Sequence, residues 1–178
     1  HGRANGLDAV LNAADVLIKR GREDIKLLLV GDGKLKDALV QRAEAEKLHN
    51  VVFHNNISKE RIPGLLAGAD VGMQLLSNVP AFYYGTSPNK FFDYLAAGLP
   101  ILNNYPGWVA DMVVEHQCGK AVPPDDPQAF ATALELLADQ PAERLAMGRR
   151  ARMLAERDFD RDKLSDLFVQ TLEEASRR

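Results

Sequence analysis

The sequence predicts an α/β fold: a doubly wound, mostly parallel sheet with extra helices after it. Two observations predict this. Short apolar runs suited to strands alternate with helical patterns as far as Val122, the rhythm of strand–helix–strand units. The run Ile25 to Val30 is apolar except for Lys26, as expected of a strand buried on both faces of a parallel sheet.

Each element follows from its own pattern. Gly6 to Arg20 carries Leu7, Val10, Leu11, Ala14, Leu17 and Ile18 at helical spacing, and Gly21 ends it. Gly31-Asp32-Gly33 turns the chain after the first strand, and Lys34 to Leu48 is helical. Val51-Val52-Phe53 is a second strand. Ser58 caps a helix to about Ala67, weakened in its middle by Pro63-Gly64. Asp70 to Leu76 is a third strand, and Ser77 to Thr86 lacks periodicity and reads as a loop.

The next helix is marked at both ends. Ser87 reads as N-cap, Pro88 as first helical residue and Gly98 as a left-handed C-terminal stop, with Pro100 behind it. Ile101-Leu102 is a fourth strand, Trp108 to Glu115 a short helix, and Gly119 to Val122 a small strand. The last third is helical. Asp126-Pro127 opens a helix with Phe130, Ala133, Leu134 and Leu137 on one face. Pro141 opens another, with Leu145, Ala151 and Leu154 among its apolar positions. Asp160 or Asp162 opens the last, lined by Leu164, Leu167, Phe168 and Leu172. These stripes are expected to pack into the core. Residues 1–178 read as one domain, with residues 160–178 as its C-terminal helix.

Composition narrows the function. The 178 residues are 46% hydrophobic and 26% charged, an ordinary globular balance. A net charge of −3 gives no basic footprint for nucleic acid. The single cysteine, Cys118, permits no internal disulfide and fits a reducing compartment. The chain opens on His1 rather than Met, the expectation for a fragment or a trimmed chain. No apolar run is long enough to span a bilayer.

Ligand loops in a doubly wound sheet gather at the carboxyl ends of the strands. The loops that qualify are Gly31 to Lys34, His54 to Ser58, Ser77 to Pro88 and Asn103 to Trp108, with His1 to Gly6 before the first helix. In this topology a further strand is expected ahead of that helix. The Ser87–Gly98 helix carries Lys90 in its first turn and Asp93 one turn on. A helix N-terminus with a lysine suits phosphate, and a carboxylate beyond it suits sugar hydroxyls. The same residues fit a solvated ion pair on a capped helix. Gly2-Arg3-Ala4-Asn5-Gly6 offers an arginine for a diphosphate, or an ordinary turn into a helix. Gly31-Asp32-Gly33 lacks the full dinucleotide fingerprint, and no P-loop lysine motif is present. Phe82-Tyr83-Tyr84-Gly85-Thr86 can stack on a base or sugar, or cover an apolar edge. None of the four histidines has metal-ligand spacing with another.

Taken together, these pieces resemble the C-terminal, nucleotide-binding domain of a GT-B glycosyltransferase of glycosyltransferase family 4. The resemblance runs from Gly6 through Leu137. It rests on Gly6-Leu7-Asp8, Leu28-Leu29-Val30-Gly31-Asp32-Gly33, Asn50-Val51-Val52-Phe53, Ala69-Asp70-Val71-Gly72 and Pro88-Asn89-Lys90 through Pro100-Ile101-Leu102, in the family's order. Pro80 to Thr86 and Asn103 to Trp108 look most like bacterial surface-polysaccharide transferases, some with a UDP-linked N-acetyl-fucosamine donor.

The resemblance implies a Rossmann-like half of a two-domain enzyme, a nucleotide-sugar donor (UDP-linked), transfer with retention, and no cofactor or metal. It implies that Asp93 holds the ribose, that Asn55, Asn56 and Ile57 flank the base, and that Arg3 and Lys90 stabilise the departing diphosphate. Asn5, Gly6, Gly31, Gly33, Tyr84, Gly85, Ser87, Pro88 and Asn89 complete the implied binding set; the catalytic group is not identified. Two positions depart from the family. Asn5 stands where a lysine usually precedes the glycine, and the Glu-x7-Glu pair becomes Gly85 and Asp93.

Further implied partners are an N-terminal acceptor domain of the same enzyme and a saccharide or lipid-linked acceptor. The implied location is the cytoplasm, at the inner face of the membrane through that other domain. A donor-binding half is expected to be inactive alone. Two other readings share the residues: a nucleotide-sugar epimerase of the same fold, and a non-catalytic α/β binding module.

Overall fold

The computed structural model describes residues 1–177. Its strands are β1 (Leu27–Val30), β2 (Val51–His54), β3 (Gly72–Gln74), β4 (Ile101–Asn103) and β5 (Gly119–Ala121). Its helices are α1 (Asp8–Lys19), α2 (Lys36–Ala45), α3 (Ile62–Ala67), α4 (Pro80–Gly85), α5 (Asn89–Ala96), α6 (Trp108–Glu115), α7 (Pro127–Asp139), α8 (Pro141–Asp158) and α9 (Arg161–Ser176).

The strands form two sheets, β1-β2 and β3-β4-β5, and every pair is parallel. Leu27 stands opposite Val51, Gly72 opposite Ile101, and Ile101 opposite Gly119. The N-terminal residues bridge the carboxyl ends of both sheets. His1 O accepts from the Leu35 amide at 3.2 Å, and Ala4 O accepts from the Ser77 amide at 2.9 Å. The loops expected to carry function are thereby drawn to one side.

Two cores hold the layers. The first joins Val10, Leu11, Ala14 and Leu17 of α1 to Leu27 and Leu29 of β1, Leu39 of α2 and Phe130 and Leu134 of α7. The second joins Phe91 and Leu95 of α5 to Ile101, Tyr105, Val109, Val113 and Leu154. Cys118 lies in this second core, where burial pushes its thiol up to about 11. Arg20 closes α1 onto α7 by donating to Thr132, Glu135 and Gln128.

Several expectations need correction. The β1–β2 ribbon is covered on one face, not two. Both α1 and α2 pack against Leu27 and Leu29, so the alternate residues Leu28 and Val52 remain 42% and 44% exposed. Ser77 to Thr86 is not all loop: Pro80 opens the short α4, and Thr86 Oγ1 donates to Phe82 O at 2.7 Å. Ser87 is not the cap of α5, nor is Pro88 its first residue. Pro88 occupies the capping position with extended backbone, and the helix starts at Asn89. With ψ at 116 Pro88 is itself extended, so helical geometry begins only at the next residue. Ser58 makes no side-chain cap either; a 3₁₀ turn over Lys59–Arg61 precedes α3, which starts afresh at Ile62 with Pro63 in its first turn.

The stops and later caps fall where expected. Gly98 has φ +68, its amide bonds Leu95 O at 3.0 Å, and the Leu99 amide bonds Tyr94 O at 3.0 Å. That double closure is a Schellman motif. Asp126 Oδ1 accepts from the Ala129 amide at 2.8 Å, and Asp160 Oδ1 caps α9 through the amides of Asp162 and Lys163. The α7 stripe is buried. The α9 stripe is not: Leu164, Leu167, Phe168 and Leu172 are all exposed, as is Leu145 on α8. Periodicity identifies an apolar helix face, and that face of α9 stays exposed among the described residues. Among the described residues no helix is long and apolar enough to cross a membrane.

Candidate functional site

Arg3, Ala4 and Asn5 form a 3₁₀ turn, and Gly6 follows in left-handed geometry at φ +57. A Cβ on Gly6 would lie 2.7 Å from the backbone of Leu76 and Ser77. Both conformation and contact therefore demand glycine. This close approach presses the N-terminal turn onto the end of β3. Ser77 reinforces it, its hydroxyl donating to Arg3 O.

The turn also reaches α5. Lys90 Nζ donates to Asn5 Oδ1 at 3.2 Å, joining two segments far apart in sequence. Asn5 stands where the resembled family has lysine. Its carboxamide oxygen accepts from Lys90, whereas a second ammonium there would repel it. Lys90 keeps contact with solvent, yet desolvation by the surrounding protein lowers its pKa below the ordinary lysine value.

The first backbone N–H groups of α5 have no partner within the helix, as at any helix start. Asp93 lies one turn along and is exposed, with no ion pair among the described residues. The Lys90–Asp93 ion pair that spacing allowed is thus not formed. The neighbouring Tyr94 phenol is pushed up to about 12, chiefly by burial and then by the Asp93 charge.

A second group of loops lies where β1 and β2 end. Gly31 and Gly33 both have positive φ, at +131 and +149. A Cβ on Gly33 would strike the backbone of His1, and one on Gly31 would approach Asn56 Oδ1 at 3.4 Å. Asn55 and Asn56 are exposed and Ile57 is half-buried. Lys36 Nζ spans the gap, donating to Asp32 Oδ1 at 2.9 Å and to Asn55 Oδ1 at 2.7 Å. The Lys36 ammonium holds the Asp32 carboxyl below the usual carboxylate range, by its hydrogen bond first and then by its charge.

The aromatic stretch divides by role. Tyr83 is buried, stacks on Tyr105 with ring centroids 6.1 Å apart, and donates its hydroxyl to Asn78. Tyr84 is 73% exposed, and Phe82 is partly exposed. Gly85 ends α4 with open space beside it: nothing lies within 4 Å of where a Cβ would be. Ser87 and Asn89 are exposed and Pro88 is buried. Tyr84, Ser87, Asn89, Lys90 and Asp93 are all exposed, so this face is open to solvent. A cavity of about 10 Å³ behind it, between Asn104, Asp125 and Phe130, has room for one water.

Sequence reasoning missed three supporting residues. Asn104 is buried and bonds both the amide and the carbonyl of Leu76, fixing the β3 end. Asp125, in left-handed geometry, accepts from Asn78. Lys36 ties two turns together. Only Lys36 left a signal: a cation at a helix start opposes the helix dipole.

Solved structures share this fold. The chain superposes on WaaG, a glycosyltransferase involved in lipopolysaccharide biosynthesis, with a TM-score of 0.71 and 22% identity, covering 88% of this chain and 40% of that one. HepE from Anabaena, in complex with UDP, gives 0.81 at 18% identity, covering 97% and 46%. Sucrose-phosphate synthase from Thermosynechococcus elongatus gives 0.79 at 21% identity, covering 98% and 43%. The chain thus spans less than half the length of these proteins. No curated protein matches it. The family model for glycosyl transferases group 1 matches residues 2–154, and the chain belongs to that family.

Proposed function

We propose that this chain is the donor-binding part of a retaining glycosyltransferase of family 4, taking a UDP-linked sugar. The observation that carries the reading is the Lys90–Asn5 bond, which draws the N-terminal turn to the first turn of α5. Arg3, Lys90 and the free amides of α5 then form one electropositive cradle for a diphosphate. Asp93, one turn on, accepts the ribose hydroxyls. Asn55, Asn56 and Ile57 flank the base.

In transfer, the bond from the anomeric carbon to the diphosphate oxygen breaks, and negative charge grows on the departing UDP. Fixed cations and N–H groups aimed at that oxygen stabilise the charge as it develops. Side chains and a helix start thus supply the role a metal ion plays elsewhere, and chelators should leave nucleotide binding unchanged. Gly85 provides no carboxylate where the resembled family has one. The open space beside it suits a donor with a bulky substituent, such as an N-acetylated hexose. A second domain of the enzyme holds the saccharide or lipid-linked acceptor on the cytoplasmic side.

Calorimetric titration with UDP, GDP, ADP and uridine tests the reading. UDP should bind most tightly, uridine weakly, and Lys90→Ala should lose most of the gain that the diphosphate brings. Equal binding of UDP and uridine would contradict the cradle.

A further inference from the structure

Lys36 is the first residue of α2, where its charge opposes the helix dipole. Its side chain is only 15% exposed, and its ammonium reaches acceptors on two separate turns. Asp32 Oδ1 lies at 2.9 Å on the turn after β1, and Asn55 Oδ1 at 2.7 Å on the turn after β2; His54 O lies at 3.4 Å. The same ammonium thus joins the turn after β1 to the turn after β2. Asn55 is therefore held from the β1 side, through the Lys36 ammonium that also binds Asp32. Breaking the Lys36 link leaves the Asn55 carboxamide free to rotate and the Asp32 carboxylate without its cation.

We infer that Asp32 and Lys36 are positioning residues that fix the turn Asn55–Ile57 and so set which nucleobase the site accepts. This rests on reading that turn as flanking the base. Neither residue needs to touch the ligand. A turn with its amide groups fixed can match one base edge and leave another base with unpaired polar groups. A turn free to move discriminates less.

The 178-residue chain is titrated with UDP, GDP and ADP, alongside Lys36→Met, Lys36→Arg and Asp32→Asn. Lys36→Met should weaken UDP about tenfold, a 1.4 kcal/mol change, while ADP and GDP change far less, so the preference for UDP collapses. Lys36→Arg should keep most of the preference, because it keeps the cation and its donors. Asp32→Asn should shift the preference in the same direction as Lys36→Met. Thermal unfolding confirms that each variant is folded. If Lys36→Met keeps the wild-type preference, or loses all nucleotides equally, the positioning role is wrong while the site reading stands. If the wild-type chain shows no preference among bases, the base-flanking reading fails, and this inference with it.

Discussion

Lys90, Asn5 and Gly6 show how much single residues decide here. Lys90→Ala should cost UDP binding about 1–3 kcal/mol, the range for charge-assisted hydrogen bonds, as read by calorimetry. Because desolvation lowers the Lys90 pKa, UDP affinity should fall with rising pH before the ordinary lysine value of 10.5 is reached. Lys90→Arg should remove that fall, since guanidinium stays charged. Asp32 has the opposite sign. Its folded pKa lies below the ordinary 3.8, so its bond to Lys36 contributes stability above that value. The contribution disappears as pH falls through the lowered pKa, and urea midpoints of wild type and Asp32→Asn should converge there. In the sequence, Arg3, Lys90 and Asp93 stand out by type and spacing. The Asn5–Lys90 bond does not, because no local pattern reports a contact between residues so far apart. Asn104 was equally hidden, since a buried asparagine bonded to a strand end has no sequence signature.

Among the elements, α5 carries Asn89, Lys90 and Asp93 of the candidate site, and its stop is tightly specified. Gly98→Ala should destabilise the fold by about 1 kcal/mol in urea unfolding, from backbone strain alone. The nearest atoms to the new Cβ, Gly148 O and Arg152 Cβ, lie at ordinary contact distances of 3.5 and 3.6 Å. At its other end, helix α9 should tolerate change. Leu167→Lys should shift stability by no more than about 0.5 kcal/mol, because the side chain is 58% exposed. Sequence placed the stop of α5 and the caps of α7 and α9 correctly, since each is a local signal. It missed α4, whose six residues carry too little periodicity to register. It also assigned the α9 stripe to the core, because a moment shows which face is apolar and not what covers it.

The whole molecule turns on where its loops converge. Parallel strands place the connections that leave them at one edge, their carboxyl ends, and the N-terminal turn stitches the ends of β1 and β3 together. The alternating pattern made that architecture readable from the chain. The split into two sheets was not readable, since apolar runs do not name their partners. The most direct measurement is amide hydrogen exchange with and without saturating UDP. Exchange should slow in the N-terminal turn around Arg3 to Gly6, at Asn55–Ile57 and across the first turn of α5, with α9 unchanged. Protection confined to other segments, or none at saturation, would contradict the proposed binding site.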